Sequence, residues 1–430
     1  MGKQDASFIR LSEVEHRPSA IFLVASIANL QEIELGFGHK ARTAAFDWLR
    51  MAVRHFARRG QMLEIGTAGV IEAVVELGAG DHRTLPGQLI SRLCGYLNSR
   101  PVHTESGSFY ILPSIGAVVL AGEENFESAK ALAYKQMESW PINPCRSHDI
   151  FKYREDMKRS VRLLEKVDRG GAMLVWQSVS SADRKDPTLY FEGLLRIVDD
   201  DGELYVCEAD IRALERVGLA PELDRRLTSA VLGRLEADPV IRLGVNISAS
   251  SASFHRFGRD ASWRDLRARL ERDPGLAQRL VIEITETADF PSLDEACEFV
   301  SEMQNLGCLV AIDDFGAGRG SIIQIAALAA DIIKIDGSFV QGVAEDERAY
   351  ATFQHLVGLG RSLAPVVVVE GIETADQAEL AQKAGGDWLQ GYLFNRPSAT
   401  LFSTEDRSIL VAFQHCRDRF RTPSRLSSVC

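Results

Sequence analysis

Val310-Ala311-Ile312-Asp313-Asp314-Phe315-Gly316 is the stretch from which the rest of this chain can be read. An apolar β-type run ends in two adjacent carboxylates, and a glycine-bearing turn follows. Adjacent side chains on an extended strand point to opposite faces. Where the chain turns at a strand end, both can reach one mouth. Two carboxylates side by side are costly unless cations or hydrogen bonds compensate them. Asp313 bridging two divalent cations, with Asp314 on one of them, would give the layout of a two-metal hydrolase of phosphate esters. Taken alone, Asp-Asp-Phe-Gly is more often just a strand ending in a polar turn.

The flanking sequence separates these readings. Apolar runs recur at residues 173–177, 189–195, 243–247, 280–284, 309–313, 332–335, 366–369 and 388–393. Helical patterns lie between several of them, as at 224–235, 293–306 and 348–363. Eight strands with intervening helices predict an α/β fold, a TIM-like (β/α)8 barrel. On or just after these strands stand Gln177, Glu192, Asn246, Glu283, Asp313 with Asp314, Lys334, Glu370 and Gln390. Polar groups inside apolar strands are costly unless paired or bound to a metal. Barrel active sites are assembled at the C-terminal mouth from several strands. The pattern predicts a metal-dependent active site, although any one of these residues alone fits a satisfied structural polar group.

These residues carry a family resemblance. Glu192-Gly193-Leu194-Leu195-Arg196, Val245-Asn246-Ile247-Ser248, Glu283-Ile284-Thr285-Glu286, Asp313-Asp314-Phe315-Gly316, Lys334-Ile335-Asp336, Glu370-Gly371-Ile372-Glu373 and Gln390-Gly391-Tyr392 occur in one order. The region from about 172 to 397 resembles the EAL domain, the cyclic di-GMP phosphodiesterase family. The resemblance implies two Mg²⁺ or Mn²⁺ ions, which oxygen ligands suit. Glu192, Asn246, Glu283 and Asp313 would hold the first; Asp313, Asp314 and Glu370 would hold the second. Lys334 would position the attacking water and help deprotonate it, its pKa depressed by the cations. With Glu192 and Glu370 it makes the expected catalytic set. Gln177, Leu194, Arg196 and Gln390 would contact substrate or water, Arg196 through its planar fork. Glu286 and Glu373 would fix the loop after Asp314. The implied reaction opens cyclic di-GMP to linear pGpG. The alternatives are a receptor that captures cyclic di-GMP without cleaving it and a metal-dependent barrel enzyme with another substrate. Three departures stand out. Gly193 replaces the family's alanine, Arg319 and Gly320 replace an aromatic residue and a small hydroxyl, and Glu203-Leu204-Tyr205-Val206 lacks the usual proline. No ligand is missing.

Upstream, strands are expected near 20–28, 61–65, 71–77, 109–112 and 115–119, and helices near 29–38, 41–59, 85–97 and 126–140. This order predicts an α/β domain with a mainly antiparallel sheet over residues 1–145. With Gly38-His39 and Pro113-Ser114-Ile115-Gly116-Ala117 it resembles the diguanylate cyclase (GGDEF) family. The family's signature falls on Gly66-Thr67-Ala68-Gly69-Val70, its metal-binding aspartates on Ser26 and Ala28, and its guanine contacts on Glu34 and Thr43. Nothing there can hold Mg²⁺ against a triphosphate. A degenerate GGDEF-like domain is expected, making no cyclic dinucleotide and serving regulation or pairing. GTP or a protein is the partner to test for there, and an unrelated α/β domain is the alternative. His39 reads as structural, with no partner visible nearby. Pro141-Ile142-Asn143-Pro144 breaks a helix. A charged linker helix over 150–167, within 146–171, would place Phe151, Met157, Val161 and Leu164 on one face. Gly170-Gly171 marks the start of the barrel, 172–400. A helix at 406–420 sits in a tail, 401–430, without assigned chemistry.

The chain has 430 residues, 46% apolar and 25% charged, with a net charge of −11. That acidic balance argues against DNA binding. Seven cysteines without a CxxC pair argue against zinc and for reduced thiols. No signal-like N-terminus is present, the apolar run 20–28 is too short to span a bilayer, and no myristoylation signal appears. A cytoplasmic protein is expected, and the family resemblance adds a homodimer.

Overall fold

The computed structural model describes residues 20–57, 62–65, 69–76, 86–120, 126–139, 149–182, 188–198, 201–253, 261–285, 290–318 and 320–401. The chain divides near residue 161 into two compact units.

In the first, β1 (Ala20–Ile27) leads into α1 (Leu30–Phe37) and α2 (His39–Phe56). Then come β2 (Met62–Ile65), β3 (Val70–Glu76), α3 (Pro86–Leu97), β4 (Val102–Thr104), β5 (Gly107–Phe109), β6 (Pro113–Leu120) and α4 (Phe126–Glu138). β1 is buried almost throughout, and its neighbours β3 and β6 both run antiparallel to it. The sheet order is β2-β3-β1-β6, antiparallel at every pairing. Of the expected strand at 109–112 only Phe109 is in a strand, as the end of β5 in the small β4–β5 hairpin, and 110–112 have no regular structure. Val102-His103-Thr104 is too short and too polar to read as a strand from pattern alone.

α5 (Ile150–Asp168) buries Met157, Val161 and Leu164, but Phe151 is 89% exposed. Tyr153 is the buried aromatic, because a 3.6-residue period steps back from Met157 to Tyr153.

In the second unit, β7 (Ala172–Ser181) and β8 (Tyr190–Val198) form an antiparallel pair, and β9 (Leu204–Val206) extends it. There follow α6 (Glu208–Arg216), α7 (Ala220–Ala237), β10 (Leu243–Ser248), α8 (Ala249–Ala252), α9 (Ala261–Arg272), α10 (Pro274–Ala277), β11 (Leu280–Thr285), α11 (Leu293–Leu306), β12 (Leu309–Phe315), α12 (Ile322–Leu328), β13 (Ile332–Ile335), α13 (Glu347–Leu363), β14 (Val366–Val369), α14 (Ala375–Ala384) and β15 (Trp388–Leu389). β10 to β15 pair in order and in parallel. β8 closes on β10 and β7 on β15, giving a closed barrel of eight strands. All eight expected strands are present. One departs from strict β/α alternation: β7 runs antiparallel to both neighbours. The segment 182–189 is shorter than the dozen or so residues that a parallel crossover needs, so the chain returns as a hairpin. Among the described residues no helix is long and apolar enough to cross a membrane.

Inward-facing positions recur with period two. Val179, Leu189, Tyr190, Val281, Leu309, Ala311, Ile332, Val366, Val368 and Trp388 pack into one buried cluster. Two residues on from members of this series stand Glu192, Glu283, Asp313, Lys334, Glu370 and Gln390. On the reversed strand β7, Gln177 precedes Val179. Each buried aliphatic side chain stabilises the barrel by about 1.5–3 kcal/mol. This apolar plug forms the floor beneath a polar rim.

Candidate active site

β12 explains how two adjacent aspartates come to serve one mouth. The strand runs through both to Phe315, beyond the expected end at Asp313. Its pairing with β13 slips between Ile312 and Phe315, and Asp314 adopts φ +56°. A left-handed backbone is costly for a non-glycine residue, by about 1–3 kcal/mol. The bulge cancels the strand's alternation and swings Asp314 back towards Asp313. Oxygens of Asp313, Asp314 and Glu370 lie within 4.8 Å of one another, and so do those of Glu192, Glu283 and Asp313. Asp313 belongs to both sets.

Lys334, fully buried on β13, stands among these groups. Its Nζ lies 2.6 Å from Glu283, 2.7 Å from Glu370, 2.8 Å from Asp313 and 3.2 Å from Glu192. The contact to Glu283 is the shortest of these four ion pairs.

Amides complete the rim. Asn246 Nδ2 donates to Glu192 Oε1 at 2.7 Å, and its buried Oδ1 has no partner. Gln390 Nε2 donates to Glu192 Oε2 at 2.6 Å and to Gln177 Oε1 at 3.4 Å. Gln177 in turn donates to the backbone oxygen of Asn395 at 3.1 Å. All nine polar residues expected at the mouth are thereby joined in one network.

The electrostatics follow from burial. Desolvation opposes the Lys334 ammonium, but Asp313, Glu192, Glu283 and Glu370 hold its pKa well above the ordinary value. The depressed lysine expected above rested on the cations; the protein's own carboxylates act in the opposite direction. Burial raises Glu192 too, but Lys334, Asn246 and Gln390 outweigh it and leave the carboxyl below its usual range. Burial pushes Glu283, Asp313 and Glu370 up, and neighbouring carboxylates add to the effect. Asp314 rises to about 7, through burial and then Asp313. Five clustered carboxylates thus face one ammonium. The crowding of five acidic groups around one ammonium, the all-oxygen donor set and the orphaned Asn246 Oδ1 fit hard divalent cations such as Mg²⁺ or Mn²⁺.

Other expected residues stand apart from this network. Leu194 and Arg196 follow Glu192 at alternate positions of β8, which places them on its face. The Arg196 guanidinium donates to the Leu195 backbone oxygen at 2.9 Å. Glu286 and Arg319 lie outside the described residues. Glu373 is exposed, its backbone N–H donating to Gln377. No bond from its carboxylate to the loop after Asp314 occurs among the described residues. His39 does have a partner, Glu34 at 3.0 Å, which also accepts from Arg42.

Sequence reasoning missed several supporting residues. Asn395 Oδ1 accepts from Ser178 N–H and Oγ–H, tying the segment after β15 to β7. Gly244 leaves room for Glu283, since a Cβ there would stand 2.1 Å from Glu283 Oε1. A glycine two residues before a polar strand residue was the available signal. Gly193 is similarly enclosed, with the Gly244 oxygen and the Trp176 ring each 3.0 Å from an added Cβ.

The profile of the EAL domain matches residues 160–397, more than half of the chain. The chain belongs to the EAL-domain family. Among curated relatives, this EAL-domain protein is 29% identical over 213 residues to Cyclic di-GMP phosphodiesterase PdeF of Escherichia coli, covering 49% of this chain and 28% of that protein. It is 24% identical over 319 residues to the Probable cyclic di-GMP phosphodiesterase PdeA of the same organism, covering 72% of this chain and 43% of that one. The chain therefore spans less than half of either relative. Among solved structures, the FimX EAL domain from Pseudomonas aeruginosa bound to c-di-GMP is 24% identical, with a TM-score of 0.47, covering 55% of this chain and 95% of that one.

Proposed function

We propose that this EAL-domain protein is a metal-dependent phosphodiesterase that hydrolyses one phosphodiester of cyclic di-GMP to give linear pGpG. The observation that carries the reading is the single network at the mouth. All eight strands contribute to it, and no member of the expected ligand set is missing. The names of the curated relatives support the substrate.

Glu192, Asn246, Glu283 and Asp313 would hold one cation, and Asp313, Asp314 and Glu370 the other. When bound, two cations supply a water of lowered pKa and neutralise charge developing on phosphate. Lys334 in its ammonium form donates and cannot accept, so its first task is to orient the attacking water or a phosphate oxygen. Taking a proton at Nζ requires prior loss of one, which the four carboxylates oppose until cations neutralise them. Gln390, itself held by Gln177, fixes the Glu192 oxygen that Asn246 leaves free, and Arg196 offers a planar fork to a phosphate.

The first unit supports a second part of the proposal: residues 1–145 form a degenerate GGDEF-like domain, joined through 146–171 to the barrel at 172–400. Ile65 pairs with Val70 at the end of the β2–β3 ladder, beside the place where a signature would stand, and Glu34 is engaged by His39 and Arg42. This domain makes no cyclic dinucleotide from GTP, and it regulates or pairs the barrel in a cytoplasmic homodimer.

Purified protein incubated with cyclic di-GMP and Mg²⁺ or Mn²⁺ should yield pGpG, and Glu192→Ala should not. Binding without product would make the protein a receptor. Neither binding nor product would point to another substrate. Cyclic di-GMP formed from GTP would overturn the reading of the first domain.

A further inference from the structure

Asp224 is buried on α7, outside the network at the mouth. It falls within the apolar stripe of that helix, beside the buried Leu223, Leu227 and Val231. A carboxylate in such a stripe is costly unless several donors meet it. Three do, all at Oδ2: Ser248 N–H at 2.8 Å, Ser248 Oγ–H at 2.7 Å and Ser251 Oγ–H at 2.7 Å. Ser248 is the last residue of β10, two positions beyond Asn246 and on the same strand face. Ser248 also caps α8 by accepting from Ser251 N–H. Asp224 thus fixes the backbone just beyond Asn246 and the turn that follows it.

We propose that Asp224 is a positioning residue for cation binding. It holds the end of β10 so that the unpartnered Asn246 Oδ1 points into the site. The inference rests on reading Asn246 as a ligand of the first cation. Asn246 reaches the cluster through one hydrogen bond to Glu192, which constrains its nitrogen and leaves the carbonyl direction to the backbone. Groups that orient ligands typically change metal affinity by about 10–100-fold when removed.

The test is calorimetric titration of Mn²⁺ into the metal-stripped full chain, with melting followed on the same samples. In Asp224→Ala the affinity of the step that involves Asn246 should weaken by about 10–100-fold, with the other step little changed. Asp224→Asn keeps an acceptor oxygen and should recover most of the loss. A uniform loss of stability would not single out one binding step. Should Asp224→Ala melt below the assay temperature, Ser248→Ala combined with Ser251→Ala removes two of the three bonds and should weaken the same step. A wild-type isotherm in a folded Asp224→Ala, or in the double-serine variant where that replaces it, overturns the proposal. If the unmodified chain takes up no Mn²⁺ at all, the ligand reading of Asn246 fails first and the role of Asp224 falls with it.

Discussion

Asn246 and Glu192 share one hydrogen bond, Nδ2 to Oε1 at 2.7 Å, and it leaves the Asn246 carbonyl oxygen buried and unpartnered. Amide nitrogen and carboxylate satisfy each other, and the remaining amide oxygen is poised for a cation. Asn246→Ala should lower Mn²⁺ affinity by at least about tenfold, since even outer groups have effects of that size. Titration calorimetry would show it, and an isotherm unchanged from the parent would remove Asn246 from the ligand set.

Lys334 balances four carboxylates, those of Glu192, Glu283 and Asp313 buried and that of Glu370 half-buried. Breaking a buried ion pair by removing one partner costs about 3–5 kcal/mol. With chelator present, Lys334→Met should therefore unfold at markedly lower temperature than the parent. Mn²⁺ should stabilise the variant more than it stabilises the parent, because the carboxylates lack another counter-charge. Turnover should fall by at least about a hundredfold. Equal melting temperatures in chelator would refute the electrostatic role.

Gly193 faces the Trp176 ring and the Gly244 carbonyl. Gly193→Ala, which restores the residue usual in the family, should cost about 1–3 kcal/mol through overpacking. A smaller ring in Trp176→Phe should offset part of that cost, a coupling readable in a double-mutant cycle. Additive effects of the two changes would contradict the packing account.

Asp224 gives a pH dependence of stability. Burial, against three hydrogen bonds, raises its pKa from 3.8 to about 6. Between those values the folded chain holds a proton that the unfolded chain has lost, so stability falls as pH rises from about 4 to about 6. Each unit is worth about 1.4 kcal/mol, which bounds the loss at about 3 kcal/mol. Above pH 6 the loss is complete. Urea midpoints of the parent and of Asp224→Asn, compared across that range, should converge at low pH and separate at high pH. Parallel profiles would show that the group titrates elsewhere.

The barrel was legible because β-strand alternation is written into its sequence. Val366, Val368 and then Glu370, or Leu309, Ala311 and then Asp313, announce an interior face that turns polar at its last position. β7 was legible as a strand but not in its direction, which loop length sets and apolar pattern does not. The sheet of the first unit was largely readable, while β4 and β5 were too short to leave a periodic signal. Phe151 was misplaced because an apolar residue near a helix start reads as core until the phase of the whole stripe is counted back from Met157.

By itself the sequence determined which polar residues stand at the barrel mouth: carboxylates, amides and a lysine placed at strand ends, where burial without a partner would be too costly. Only the tertiary structure decided how they meet. A slipped register at Asp314 put two adjacent aspartates on one side, barrel closure brought Lys334 into contact with groups from four strands, and the helix ahead of β10 supplied Asp224. Those outcomes depend on backbone register and through-space proximity, which a period of two along one strand does not encode.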